Sequence, residues 1–161
     1  MQKKPGLDPV DPGSYRPISN LAVLSKLLER LVACQLSSYL TSAVLLPILQ
    51  SGFRLRHSTE TAILWVMSDI LLATDCLVLL DLSAAFDTVK DDILLRRLQT
   101  SFGTDGVALD WFRSYLVGRT QYVRRGPVWS SIVYLTCCVP QGSVLGPILF
   151  IMYTADLVSL V

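Results

Sequence analysis

Nowhere does the sequence offer an uninterrupted run of the ~20 apolar residues that a membrane-crossing helix needs. Its two most apolar windows are broken, 61–80 by Asp69 and Asp75, and 144–161 by Pro147 and Asp156. No apolar segment follows the opening lysines Lys3 and Lys4, so a secretory leader is not expected. Histidine occurs once, as His57, with no partner for a triad or a metal site. The four cysteines (Cys34, Cys76, Cys137, Cys138) show no metal-ligand spacing and read as reduced thiols, which fits a protein inside the cell, in cytoplasm or nucleus. There is no internal repeat and no low-complexity tract. Acidic residues are missing altogether between Trp111 and Ala155, while Arg113, Arg119, Arg124 and Arg125 all fall there. A net charge of +1 hides that asymmetry, and an acid-free, arginine-bearing stretch suits a polyanion.

What the chain has in quantity is apolar side chains, 52% of its 161 residues. The mean hydropathy of +0.49 is high for one globular domain, as expected of a piece of a larger protein.

Along the chain, 1–14 are rich in Pro, Gly and Asp and read as an extended lead-in. A helix is predicted next, capped by Ser19 or Asn20, with Leu21, Leu24, Leu27, Leu28, Leu31 and Val32 as its apolar stripe, fading near 39–42. Ser58-Thr59-Glu60 caps a second predicted helix over about 60–73, with Ile63, Val66, Met67 and Ile70 on one face. A third runs from Asp91-Asp92 to Arg96-Arg97, acids first and bases last as the helix dipole favours, and ends at Gly103. A fourth starts at Asp105, presents Val107, Trp111 and Tyr115, and closes at Gly118. Strands over 119–125 and 128–139 flank a turn at Gly126-Pro127. A last helix starts near Gly146-Pro147 and runs to the chain end.

The organising stretch is CLVLLDLSAAFDTV, residues 76–89. Its five leading apolar residues suit a strand buried on both faces, and the strand ends in Asp81. A carboxylate there is costly unless a cation meets it. Ser83-Ala84-Ala85 leave room for a bulky ligand near the backbone. A capping Asp at a strand-to-turn junction is the plain alternative.

Four stretches stand in fixed order: YRPISN (15–20), QSGFR (50–54), LLDLSAAFD (79–87) and VPQGSVLGPILF (139–150). Together they resemble the reverse transcriptases of LINE-type (non-long-terminal-repeat) retrotransposons, over residues 4–161. Each motif alone is weak; the set in order is specific.

The resemblance implies an α/β (α+β) chain, a partial right-hand polymerase fold with fingers (about 15–75 and 90–136), an incomplete palm (about 76–89 and 137–161) and no thumb. It implies addition of deoxynucleoside triphosphates to a DNA primer on an RNA template, with no membrane and no defined protein partner. Two divalent ions are expected, Mg2+ with Mn2+ possible in its place, because hard cations take carboxylate oxygens. By the same resemblance Asp81 is a catalytic metal ligand and the Leu82 carbonyl reaches the same ion. Ala85 and Phe86 lie at the sugar of the incoming nucleotide, where a ring would collide with a 2′-OH; Phe86 as core packing is the alternative. Gln141 and Gly142 form the loop beneath the nascent base pair, and Arg16 and Arg54 contact triphosphate or template. Arg113, Arg119, Arg124 and Arg125 contact nucleic-acid backbone. Asp87 reads as structural.

The family's third catalytic motif, an aromatic residue followed by Ala-Asp-Asp, is absent up to Val161. Asp156 is no substitute, since it falls inside the preceding helix. One carboxylate does not assemble two ions, so no polymerase activity is expected of these residues alone, and poor solubility is expected. Cys138 stands where the family usually has Gly before Val-Pro-Gln-Gly, which strains the backbone if φ is positive there. A non-catalytic module binding RNA or an RNA/DNA hybrid is the alternative function, and a membrane-associated product a third.

Overall fold

The computed structural model describes residues 6, 19, 21–54, 56–72, 85–125 and 127–159. The predicted strand 76–80, with Asp81, Leu82 and Arg16, lies outside them. The described elements are five helices and two small antiparallel ladders, a mixed α/β composition.

Helix α1, Val23–Ser42, ends where its sequence predicts, but starts later and turns another face inward. Its N-cap is Ala22, without a side-chain hydrogen bond, so Ser19 does not cap it, and Asn20 lies outside the described residues. The buried line is Glu29, Ala33, Leu36 and Leu40, whereas Leu24, Leu27, Leu28 and Leu31 are exposed. The helix carries two stripes. The one headed by a glutamate turns inward, where that glutamate finds hydrogen-bond partners on two other segments, described below.

Helix α2, Thr59–Leu72, begins as predicted. Ser58 and Thr61 cap it reciprocally: the Thr61 N–H donates to Ser58 Oγ at 3.2 Å and the Ser58 N–H to Thr61 Oγ1 at 2.9 Å. The Ser58 hydroxyl also holds the Glu60 carboxyl below its ordinary value. No residue of α2 is buried, and Ile63, Val66, Met67 and Ile70 all face outward. Among the described residues nothing covers this helix.

Helix α3, Asp91–Thr100, buries Asp91, Leu94, Leu95 and Leu98, one face at helical spacing. Helix α4, Gly106–Leu116, is capped by Asp105, whose carboxylate accepts the Gly106 N–H at 2.7 Å, and Gly118 follows its C-cap Val117. It buries Leu109, Phe112 and Leu116, one position round from the predicted face. Val107 is exposed, while Trp111 and Tyr115 stack at 5.4 Å beside the core. Helix α5, Gly146–Thr154, is apolar on every side and buries Leu149, Ile151 and Met152. It tightens into a 3-10 turn over Ala155–Ser159. Helix α3 packs against both α4 and α5. Val89, Val139 and Leu145 complete this core with no exposed surface.

The predicted hairpin forms in two short pieces. Strand β1, Thr120–Gln121, pairs with β4, Val133–Tyr134, and β2, Arg124–Arg125, with β3, Val128–Trp129. Between the ladders Tyr122 and Val123 face Ser130, Ser131 and Ile132, an extra residue that makes a bulge. Ser130 stabilises it by accepting the Val123 N–H on its hydroxyl at 2.9 Å and donating its own N–H to the Val123 carbonyl at 2.9 Å.

Candidate functional site

Two motif-bearing segments run side by side at the centre of the described structure. Residues 86–90 meet 137–141 through a Lys90–Cys137 bridge, a Cys138 N–H to Val89 O bond of 2.7 Å and a Val139 N–H to Phe86 O bond of 3.0 Å. The Gln141 amide then reaches across, its Nε2 donating to Asp87 Oδ1 at 2.9 Å. Asp87 thus has a side-chain partner in the loop, and Gln141 belongs to the same cluster as Ala85 and Phe86.

Ala85–Thr88 is a 3-10 turn closed by the Thr88 hydroxyl on the Ala85 carbonyl at 2.9 Å. Phe86 is half-buried, its ring 5.2 Å from that of Phe150 and tilted by 57°. That contact is the packing role weighed against a nucleotide role in the sequence.

The 137–146 segment turns on unusual backbone. Cys138 has φ +82°, a conformation that costs a residue with a Cβ about 1–2 kcal/mol and that glycine adopts freely. Burial pushes the Cys138 thiol up, and the nearby Arg119 guanidinium pulls against that. Gly142, exposed, has φ +87°. Beyond it Ser143 Oγ accepts the Gly146 N–H at 2.9 Å, so Gly146 must lack a side chain: a Cβ would lie 2.8 Å from Ser143 Oγ and 3.1 Å from the Pro140 carbonyl.

Arg119 is turned inward. Its Nη2 donates to Asp91 Oδ1 at 3.2 Å and to the Cys138 carbonyl, and its Nε donates to the Leu116 carbonyl at 2.6 Å. This guanidinium braces α3 and α4 against the Cys138 bend. Desolvation outweighs the arginine's pull and holds the Asp91 carboxyl above its ordinary value. Arg54 is also occupied, its Nη1 donating to the carbonyls of Pro47, Ile48 and Gln50 at 3.2, 3.1 and 3.5 Å. Arg113 is exposed on α4, and Arg124 and Arg125 pair through their backbones in β2. Arg97 and Asp156 form an ion pair, which lowers the Asp156 carboxyl below its ordinary value and gives that residue a structural partner.

A residue that the sequence did not flag sits beneath the loop. Glu29 of α1 is 2% exposed, and its Oε2 accepts the Val144 N–H at 2.6 Å while its Oε1 accepts the Tyr115 hydroxyl at 3.2 Å. Burial pushes the Tyr115 phenol up to about 12, Ser143 pulling it down and Glu29 adding to the rise. Nothing but its position in a helix otherwise rich in exposed leucines could have marked Glu29.

Among the described residues no three His, Cys, Asp or Glu side chains converge as a metal cage. Asp81 and Leu82, the ligands that the sequence points to, lie outside the described residues.

The whole chain, residues 1–161, matches the family described as "Reverse transcriptase (RNA-dependent DNA polymerase)". The chain belongs to the reverse transcriptase family. It is 41% identical over 162 residues to the "Probable RNA-directed DNA polymerase from transposon BS" of Drosophila melanogaster, covering 98% of this chain and 18% of that protein. A similar protein is the "RNA-directed DNA polymerase from mobile element jockey" of Drosophila funebris, 37% identical over 163 residues, with 96% of this chain and 17% of that protein covered. Another is the "Probable RNA-directed DNA polymerase from transposon X-element" of Drosophila melanogaster, 36% identical over 162 residues, with 98% and 18% covered. The chain thus spans about 18% of the length of such relatives. The four motifs pointed to this family, and the match bears them out. Among the described residues of this reverse transcriptase chain, no helix is long and apolar enough to cross a membrane.

Proposed function

We propose that this chain carries part of the nucleotide-addition site of an RNA-directed DNA polymerase, adding deoxynucleotides to a DNA primer on an RNA template. The observation that carries this is the joining of 85–88 to 138–142, with Gln141 bonded to Asp87. That joining sets an aromatic residue, a short amide side chain and a glycine backbone in one cluster. Phe86 limits room at the sugar and so favours deoxynucleotides; Ala85 leaves space for the approach. Gln141 offers hydrogen bonds at base or sugar edges, and Gly142 allows close backbone approach. In this reading 15–75 and 90–136 form fingers, and 76–89 and 137–161 belong to a palm.

Two divalent ions, Mg2+ or Mn2+, would activate the 3′-OH and hold the triphosphate, with Asp81 and the Leu82 carbonyl as the proposed holders of one. Arg16 is proposed at the triphosphate or template. Arg113, Arg124 and Arg125 are proposed on the nucleic-acid backbone, where the acid-free stretch concentrates positive charge. Arg54 and Arg119, already occupied by backbone carbonyls and Asp91, are assigned to bracing instead.

Binding of dTTP to the chain on a poly(rA)·oligo(dT) duplex, with Mn2+, tests the proposal. Binding that weakens at least ~tenfold in Asp81→Asn, and a dTTP-over-UTP preference that shrinks in Phe86→Ala, are expected. Equal binding by wild type and Asp81→Asn, or no preference to lose, contradicts it.

The second reading is a non-catalytic RNA or RNA/DNA-hybrid binding module. Tyr122 and Trp129, each 52% exposed with rings 4.9 Å apart, favour it as a base-stacking surface beside β2. Salt-dependent filter binding separates the readings. Duplex binding that disappears in Arg124→Ala/Arg125→Ala, by a wild-type chain that binds no dTTP, supports the second; dTTP binding that is lost in Asp81→Asn supports the first.

A further inference from the structure

We infer that Glu29 is the positioning residue of the Gln141-Gly142 turn. A carboxylate in the middle of a helix normally faces water, and burying one is costly unless hydrogen bonds replace its hydration. Glu29 is nevertheless 2% exposed, in line with Ala33, Leu36 and Leu40 on the inward face of α1. An apolar side chain would fill that place more cheaply. What it could not do is accept the Val144 N–H, which Glu29 Oε2 takes at 2.6 Å.

That amide matters because of where it stands. The first leg of the turn is fixed by backbone bonds, Cys138 to Val89 and Val139 to Phe86. Gly142, at φ +87°, then reverses the chain with little resistance of its own. Val144 is on the second leg, two residues beyond Gly142, and Glu29 is the side chain that ties this leg to α1. The other carboxylate oxygen accepts the Tyr115 hydroxyl at 3.2 Å, which stops the glutamate rotating away and brings α4 into the same tie. Tyr115 is held in turn by stacking on Trp111. Two helices distant in sequence, α1 and α4, therefore converge on one loop through one carboxylate. The Ser143 N–H closes the turn on the Pro140 carbonyl at 3.2 Å and the Ser19 N–H holds the Gln141 carbonyl at 2.9 Å. Glu29 adds the side-chain tie of the second leg to α1, and its loss loosens the turn on that side.

The inference rests on the polymerase reading only where it concerns nucleotide binding; the tie itself stands on geometry. Three variants of the chain test it: Glu29→Leu, which keeps volume and removes both acceptors; Glu29→Gln, which can still accept the Val144 N–H and donate to the Tyr115 oxygen; and Tyr115→Phe. Amide hydrogen exchange is read at Ser143 and Val144, with Leu98 of α3 as the control, and dTTP binding is read on poly(rA)·oligo(dT) with Mn2+.

In Glu29→Leu, exchange at Val144 and at Ser143, whose N–H closes the turn on the Pro140 carbonyl, should rise about tenfold or more while Leu98 is unchanged, and Glu29→Gln should return both to within about threefold of wild type. Binding of dTTP should weaken in Glu29→Leu and recover in Glu29→Gln. If Glu29→Leu does not fold, Tyr115→Phe should still raise exchange at Val144 several-fold over Leu98. Unchanged exchange at Val144 overturns the inference. A rise shared equally by Val144 and Leu98, or no recovery in Glu29→Gln, marks a purely structural glutamate and also overturns it. If the wild type binds no dTTP but the exchange pattern holds, the positioning role stands and the polymerase reading is what fails.

Discussion

Gln141 and Asp87, 54 positions apart in the chain, are joined by a 2.9 Å hydrogen bond from the glutamine Nε2 to the aspartate Oδ1. The bond couples the turn after Phe86 to the turn before α5, the two segments that carry this family's resemblance most strongly. Both partners are half-buried, so the bond is shielded from water without being enclosed. A hydrogen bond to a charged group contributes about 1.5–3 kcal/mol when well shielded, so about 1 kcal/mol is expected here. Asp87→Ala and Gln141→Ala should each lower stability by roughly that amount, and the double variant should lower it by less than the sum. Urea midpoints for the four proteins measure the coupling.

The Cys138 bend makes a prediction of opposite sign. Its φ of +82° is one that a Cβ opposes, so Cys138→Gly should stabilise the chain by about 0.5–1 kcal/mol. Cys138→Ala keeps the Cβ and should give no such gain. Thermal unfolding of the two variants distinguishes relief of backbone strain from loss of the thiol.

Gly146 should tolerate nothing larger. A methyl there meets Ser143 Oγ at 2.8 Å and the Pro140 carbonyl at 3.1 Å, and of these only the hydroxyl can swing aside. Gly146→Ala should cost about 1–3 kcal/mol, the usual penalty of overpacking. Adding Ser143→Gly should recover part of it, which denaturant titration will show.

Tyr115 predicts a pH dependence. Its phenol is raised from 10.0 to about 12, so the folded chain holds that proton more tightly than the unfolded chain. The stability this contributes is complete below pH 10 and is lost as pH rises from 10 to 12. Tyr115→Phe should flatten the urea midpoint across that window, and a midpoint that falls equally in both proteins contradicts the assignment.

Caps and breakers were legible in the sequence because they act locally. Ser58 and Asp105 start helices, Gly118 follows one, and Pro147 sits near the start of another, each for reasons contained within a few residues. The glycine preference at position 138 was also legible, and the backbone there does take positive φ. Faces were less legible. The leucines of α1 and the apolar residues of α2 have the right spacing for burial, yet burial depends on what else is present to cover them. Direction was least legible of all. Composition places Arg119 in a basic patch but says nothing of its turning inward to Asp91 and the Cys138 carbonyl. Glu29 was hidden for the same reason, since both its partners lie far along the chain.

The proposal tested most directly is that the joined segments 85–88 and 138–142 hold an incoming deoxynucleotide. Photocrosslinking with an azido-dATP analogue, on an oligo(dA)-primed poly(U) template with Mn2+, tests it directly, followed by mapping of the labelled peptides. Label is expected on peptides containing Ala85–Asp87 or Gln141-Gly142, reduced at least ~tenfold in Asp81→Asn. Label confined to other peptides, or equal labelling of wild type and Asp81→Asn, would contradict it.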